Sequence, residues 1–177
     1  MPEVQASFDS PVLLTKEHDC APFASGEATL DEWLRQRAWK NLTSAASRTY
    51  VVCPVGSRRV VGFFALSMGQ ILAEEVTGPM RRNMPRRIPA VLLGRLAIDR
   101  AWQGKGLGRA LLADAVSRSL RARAEVSARL LIVHAISPAA EAFYFHHGFT
   151  RLPVETPTFA LDLLKLQKLG ADDPGQG

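Results

Sequence analysis

Cysteine is scarce in this chain: Cys20 and Cys53 stand alone in 177 residues, with no C-x-x-C pair and no Cys/His run of ligand spacing. That scarcity argues against a disulfide scaffold and a thiolate metal site, and points to two reduced thiols, no metal and a cytoplasmic setting. Long apolar runs are missing as well. The longest, Val60 to Met68, falls far short of the ~20 residues that cross a bilayer, so no membrane partner is expected. The stretch Met1 to Ser10 is acidic and polar, without the basic and apolar regions of a signal peptide. Acidic residues are rare in one place: from Arg81 to Arg129 there are 12 Lys and Arg against 3 Asp and Glu, a local net of +9 in a chain of net +5.

What is present describes an ordinary globule of one domain, with 47% apolar and 22% charged residues. Periodicity and punctuation give an alternation of strands and helices. Val12 to Thr15 reads as a short strand. Thr29 to Glu32 reads as a capping box that opens a helix with Leu30, Trp33, Leu34 and Ala38 on one face, ending near Leu42. Arg48 to Cys53 and Val60 to Met68 form a hairpin about the turn Pro54 to Arg59. Pro79 to Pro89, with four arginines and three prolines, reads as irregular, and Ala90 to Asp99 as a strand. A long helix spans Leu107 to about Val126, and Arg129 to Ile136 is a buried strand. Ser137 and Pro138 cap a short helix ending at Gly148, and Thr158 to Leu166 is the last strand. The folded domain is expected over residues 8–169, between an N-terminal tail at 1–7 and a disordered C-terminal tail at 170–177.

Gln103, Gly104, Lys105, Gly106, Leu107 and Gly108 occupy the turn from a strand into the long helix. Glycines permit positive φ and close approach, and the helix N-terminus offers unpaired N–H groups and a dipole favouring an anion by ~0.3–1 kcal/mol. A phosphate ester is the expected ligand. A Walker A loop is excluded because Lys105 is followed by Gly106. A dinucleotide fingerprint is disfavoured because the third glycine, Gly108, comes one residue early. The spacing Gln-x-x-Gly-x-Gly at Gln103, Gly106 and Gly108 resembles the pyrophosphate loop of the GNAT superfamily of acyl-CoA-dependent N-acyltransferases. Ala140, Tyr144, Gly148 and Phe149 stand at the spacing of the family's second motif.

The resemblance implies an α/β GNAT fold with a mixed central sheet flanked by helices, and acetyl-CoA as cosubstrate. It implies that the backbone of Leu96, Ala97 and Ile98 pairs with the pantetheine arm, and that the loop from Gln103 to Arg109 (Gly104, Lys105, Gly106, Leu107 and Gly108 included) holds the pyrophosphate. Ser137 stands where the family commonly has an Asn at the helix cap, which makes it the implied cofactor contact there, with a shorter hydrogen-bonding arm. Tyr144 is implied as the general acid for the departing thiolate; its plain alternative is core packing beside Phe143 and Phe145. No carboxylate stands out as a general base: Asp99 reads as a loop cap and Glu141 as a solvent-facing charge in a first helical turn. An acceptor with an α-amine of pKa ~7.7–8 fits that lack better than a lysine of ~10.4.

Arg81, Arg82, Arg86 and Arg87 lie in a connection without a nearby acid in sequence, and Arg95 lies on the strand leading to the loop. These, with Arg35 on the first helix, are the candidate contacts to a polyanionic acceptor. Arg37 and Lys40 either extend that patch or form a solvated helix face, and Arg118, Arg121 and Arg123 read as the wet face of the long helix. His134 reads as a satisfied core histidine, one of His146 and His147 faces solvent, and Trp33, Trp39 and Trp102 read as packing residues.

Phe8 to Leu14, His18-Asp19, Phe23 with Gly26, Leu30 to Leu34, Ser47 to Val51, Leu93 to Asp99 and His134-Ala135 before Phe143-Tyr144 together resemble the bacterial GNAT toxins of the TacT type. That resemblance implies acetylation of the α-amine of aminoacyl-tRNA, arrest of translation and a ribbon-helix-helix antitoxin encoded alongside. A homodimer would place two basic patches together. The alternatives are a small-amine or protein N-terminal acetyltransferase, and a catalytically silent GNAT-like domain that binds RNA or a protein partner.

Overall fold

A computed structural model describes residues 7–171. In chain order the described strands and α-helices are β1 (Val12–Leu13), α1 (Ala28–Gln36), α2 (Ala38–Thr43), β2 (Arg48–Val52), β3 (Gly62–Leu72), α3 (Gly78–Arg81), β4 (Arg87–Ile98), α4 (Leu107–Glu125), β5 (Leu130–His134), α5 (Pro138–His146), β6 (Thr150–Arg151), β7 (Thr158–Asp162) and α6 (Leu163–Ala171). The strands follow the order β1-β2-β3-β4-β5-β7-β6 in a mixed sheet, so the α/β class with helices about a central sheet is as expected. The chain forms two compact units, residues 7–67 with Gly94–Ala115, and Met68–Leu93 with residues 116–171.

The first unit is built on the β2–β3 hairpin, whose register runs from Arg48 opposite Leu66 to Val52 opposite Gly62. Its turn at Pro54 to Arg59 is the expected one, and β3 continues to Leu72, beyond the expected end at Met68. Phe23, Trp33, Leu34, Ala38, Val51, Val60, Phe63, Ala65 and Ala97 form the core. Trp33 stacks on Phe63 at 6.0 Å, and Phe23 meets the same ring edge-on at 5.4 Å. The expected capping box does not form: α1 starts at Ala28 after Glu27, with no side-chain cap. Asp31, expected within that box, turns instead to Ser25, whose hydroxyl and backbone N–H both donate to its Oδ1 at 2.6 and 3.0 Å. The helix expected to reach Leu42 is divided at Arg37, which separates α1 from α2.

Leu107, Leu111, Ala115 and Ser119 on α4 are all at most 1% exposed. A spacing of four puts them on one stripe, which is why an Ala-, Leu- and Arg-rich segment without proline forms this helix.

The second unit centres on β5, apolar on both faces as a strand covered on both sides must be. It pairs parallel with β4, Ala90 opposite Leu130 to Leu93 opposite Val133, and antiparallel with β7, Leu130 opposite Asp162 to His134 opposite Thr158. Val76, Met80, Ile88, Leu130, Ile132, Leu152 and Ala160 form its core. The segment Pro79 to Pro89 is more ordered than expected. It contains the helical turn α3, and β4 begins at Arg87 because Ile88 and Ala90 are buried. The final strand ends four residues early. Asp162 Oδ1 accepts from the N–H groups of Leu164 and Lys165 at 3.1 and 3.3 Å, the hydrogen-bonding pattern of an N-cap, and so starts α6. Residues 1–6 and 172–177, most of the two expected tails, lie outside the described residues.

Candidate active site

In the first unit, the glycine turn sits between the end of β4 and the start of α4. Asp99, 3% exposed, closes the strand. Its Oδ1 accepts from the N–H of Ala101 at 3.0 Å, and its Oδ2 accepts from the N–H of Ala24 at 3.1 Å and lies 3.7 Å from the Arg59 guanidinium. The cap expected of Asp99 is therefore what it forms. Gln103 donates from its amide to the carbonyls of Ser25 and Ile98, both at 2.9 Å. Arg100 N–H donates to Ala24 at 2.9 Å. The turn is thus clamped to the segment preceding α1, and no local motif advertises this because the partners are some 75 residues apart.

Gly104 and Gly106 have φ of +75° and +80°, and a Cβ built on either would meet nothing within 4 Å. Backbone conformation, not crowding, demands glycine, and the space beside both is open. An incoming phosphate can reach the backbone there, next to the first-turn N–H groups of α4, which have no intrahelical acceptor. Leu107 anchors the turn at 1% exposure. Lys105 and Arg109 are exposed, Lys105 with its ammonium 5.2 Å from the Trp102 ring. Gly108 lies in the first turn of α4. These residues fit a phosphorylated cosubstrate.

Leu96, Ala97 and Ile98 end β4. Ala97 is in the core, while Leu96 and Ile98 are half-buried. The Ile98 carbonyl is already taken by Gln103. Arg95 stacks its guanidinium over Trp33, 4.5 Å from the ring centroid, and burial lowers its pKa from the ordinary arginine value. Arg35 donates to the Phe23 carbonyl at 2.7 Å, so this candidate acceptor contact also braces the segment before α1.

In the second unit, Tyr144 is 5% exposed on α5, against Phe149 and Phe159. Burial pushes its phenol well above the ordinary tyrosine range, so the hydroxyl holds its proton throughout physiological pH. Ser137 Oγ accepts from the Ala140 N–H at 3.1 Å and Pro138 follows it, the expected cap and first position. The helix closes at Gly148, φ +88°, where the Phe149 N–H reaches back to the Tyr144 carbonyl at 3.1 Å. Glu141, half-buried, lies 3.9 Å from Arg151.

Arg81, Arg82, Arg86 and Arg87 are all exposed. The absence of a nearby acid holds in sequence but not in space for Arg86, which lies 3.6 Å from Glu74 on the preceding turn. Arg129, at the end of this basic stretch, is spent internally: its Nε and one terminal nitrogen both pair with Asp162 at 2.9 Å.

His134 departs from its expected core role. It is exposed at the last position of β5, with Nδ1 3.0 Å from Thr158 Oγ1. His146 is exposed, as one of the pair was expected to be, while half-buried His147 holds the Phe143 carbonyl at 2.7 Å. Trp33 packs as expected, but Trp39 is 36% exposed with Lys16 over its ring. Burial first, then the neighbouring Asp19, pushes the Cys20 thiol up to about 11. Among the described residues no helix is long and apolar enough to cross a membrane.

Residues 46–151 match the acetyltransferase (GNAT) domain. The chain is 41% identical over 163 residues to a tRNA-acetylating toxin of Mycobacterium tuberculosis (strain ATCC 25618 / H37Rv), covering 92% of this chain and 95% of that one. Its fold resembles AtaT complexed with acetyl-methionyl-tRNAfMet, at a TM-score of 0.85 and 27% identity over 93% of this chain and 99% of that one. It also resembles a Tyr-to-Phe variant of AtaT bound to acetyl-CoA and the C-terminus of the antitoxin AtaR, at a TM-score of 0.78 and 27% identity over 93% and 99% of the two chains. The chain belongs to the GNAT acetyltransferases, and among them it is similar to the toxins of toxin–antitoxin pairs.

Proposed function

We propose that this enzyme transfers the acetyl group of acetyl-CoA to the α-amino group of aminoacyl-tRNA and so arrests translation in the cytoplasm, until a ribbon-helix-helix antitoxin neutralises it. The observation that carries the reading is identity of 41% along 92% of the chain with a tRNA-acetylating toxin. The exposed arginines at 81, 82, 86 and 87 supply what a polyphosphate acceptor requires.

The chemistry asks little of the protein beyond position and one proton. Acetyl-CoA supplies an activated acyl group. The open backbone at Gly104 and Gly106 and the first turn of α4 hold its phosphates, with Lys105 and Arg109 adding charge. Backbone N–H groups of Leu96 to Ile98 orient the pantetheine arm and polarise the thioester carbonyl. The acceptor α-amine, pKa ~7.7–8, is substantially neutral near pH 7 and attacks without a dedicated base. As the N–C bond forms and the C–S bond breaks, the amine loses a proton to water and Tyr144 gives one to the leaving sulfur. Tyr144 is then reprotonated from solvent. Its raised pKa keeps it protonated before each turnover. Arg81, Arg82, Arg86, Arg87 and Arg95, with Arg35, bind the acceptor. The protein acts as a homodimer, which joins two such patches and would be refuted by a monomer in sedimentation.

A purified translation system tests the toxin reading. Arrest is expected only when acetyl-CoA is supplied, and uninterrupted synthesis in its presence would overturn it.

A further inference from the structure

Arg129, at the end of the arginine-rich stretch, turns its side chain inward. Its partner Asp162 is 33 residues away, and the two side chains are 10% and 12% exposed. Nε and one terminal nitrogen grip the two carboxylate oxygens at 2.9 Å each. The fork has donors left over. One reaches the Pro79 carbonyl at 3.2 Å, and another approaches the Arg82 carbonyl at 3.5 Å. These carbonyls belong to the last turn of α3 and the residue just after it, where a helix leaves acceptors without partners. A four-residue helix is too short to be stable alone. It is held on its apolar side by Met80, 6% exposed in the core beside Ile88 and Leu130, and on its polar side by Arg129.

Asp162 is fixed in turn. Its Oδ1 also accepts from Leu164 and Lys165, and the Leu163 N–H donates to the Arg129 carbonyl at 3.0 Å. One ion pair therefore ties β5, the β7–α6 junction and the segment bearing Arg81 and Arg82. Those two side chains stay exposed, and among the described residues neither is held in an ion pair that would compete for a phosphate. Lysine offers one point charge in place of the planar fork and does not reproduce this arrangement.

We propose that Arg129, locked by Asp162, is a positioning residue for the nucleic-acid acceptor: it caps the Pro79–Arg82 turn and so presents Arg81 and Arg82 together to backbone phosphates, without touching the RNA. This rests on the aminoacyl-tRNA reading above. It separates the basic stretch into arginines that meet the acceptor and one that arranges them.

The test compares Arg129→Lys, Arg129→Gln with Asp162→Asn, and Arg81→Ala with Arg82→Ala, alone and combined. Three quantities are read: tRNA affinity, acetyl-CoA affinity, and hydrogen exchange over residues 77–87. The double change at Arg129 and Asp162 leaves no buried charge unpaired, so it guards against simple misfolding. Faster exchange over 77–87 and about 10-fold weaker tRNA binding are expected in both Arg129 variants, with acetyl-CoA affinity unchanged. Once Arg129 is altered, removing Arg81 and Arg82 should cost far less than in the unaltered protein. Near-normal tRNA binding by Arg129→Lys, additive losses, or unchanged exchange would each overturn the proposal. A parallel loss of acetyl-CoA affinity would overturn it in favour of a general structural role. If the unaltered protein binds no tRNA, the acceptor reading itself fails, and the exchange data show separately whether Arg129 holds the turn.

Discussion

The side-chain amide of Gln103 donates to the carbonyl of Ile98, 2.9 Å away, closing the strand-to-helix turn upon the end of its own strand. The same amide nitrogen reaches Ser25 at 2.9 Å. A residue that reads in sequence as part of a phosphate site thus uses its side chain to shape the loop, leaving contact with phosphate to backbone groups. Gln103→Ala removes both bonds, at about 1 kcal/mol each, and is expected to lower Tm by about 4–8 °C. Acetyl-CoA affinity should fall about 10-fold in a calorimetric titration, with kcat at saturation little changed.

Gly104 and Gly106 make a complementary prediction. Since an added Cβ meets nothing within 4 Å, alanine costs only the left-handed conformation, about 1–2 kcal/mol at either site. Thermal melts should show that loss, and asparagine, which tolerates this region better, should lose less. Equal stability of alanine and glycine would show that the positive φ is not required.

Tyr144→Phe should leave the fold intact, because the ring's contacts with Phe149 and Phe159 remain. Loss of a general acid is expected to cut kcat by about 100-fold or more while sparing acetyl-CoA affinity. Burial raises the phenol's pKa, so the proton-bearing form persists above the ordinary value of ~10. The rate of the unaltered enzyme should therefore show no alkaline fall below about pH 10 that the phenylalanine variant abolishes.

Asp162 carries a stability prediction with a definite sign. Burial raises its pKa, but the hydrogen bond and charge of Arg129 and the N–H groups of Lys165 and Leu164 outweigh this and bring it below the ordinary carboxylate value. A folded pKa below the unfolded one gives stabilisation that is complete above ~3.9 and is lost as pH falls through the folded value. Denaturation of the unaltered protein should show this acid limb. Asp162→Asn should flatten it and cost about 3 kcal/mol at neutral pH by stranding Arg129.

The sequence made the glycine loop, the hairpin, the long helix and the Ser137 cap legible because each is encoded locally, by spacing or by a turn residue. It misled where a distant partner intervened. Asp31 left the expected capping box for Ser25, and Asp162 ended the last strand by capping α6. Arg129 counted toward the basic patch until Asp162 claimed it. Arg59 and Asp99 are 40 residues apart, and no pattern pairs them. The sole hint of the Arg129 pair is an arginine directly before the apolar run of β5. His134 departs from the expected core role because the two-sided burial of β5 stops at its final position, where the side chain meets solvent.

Acceptor identity is the central claim, and one assay addresses it directly. The protein is incubated with labelled acetyl-CoA, charged tRNA, polyamines and a peptide with a free N-terminus, and the products are separated. Label on the α-amine of the aminoacyl group, dependent on Tyr144, is the expected result. Label on the polyamine or peptide, with none on the aminoacyl group, would contradict it.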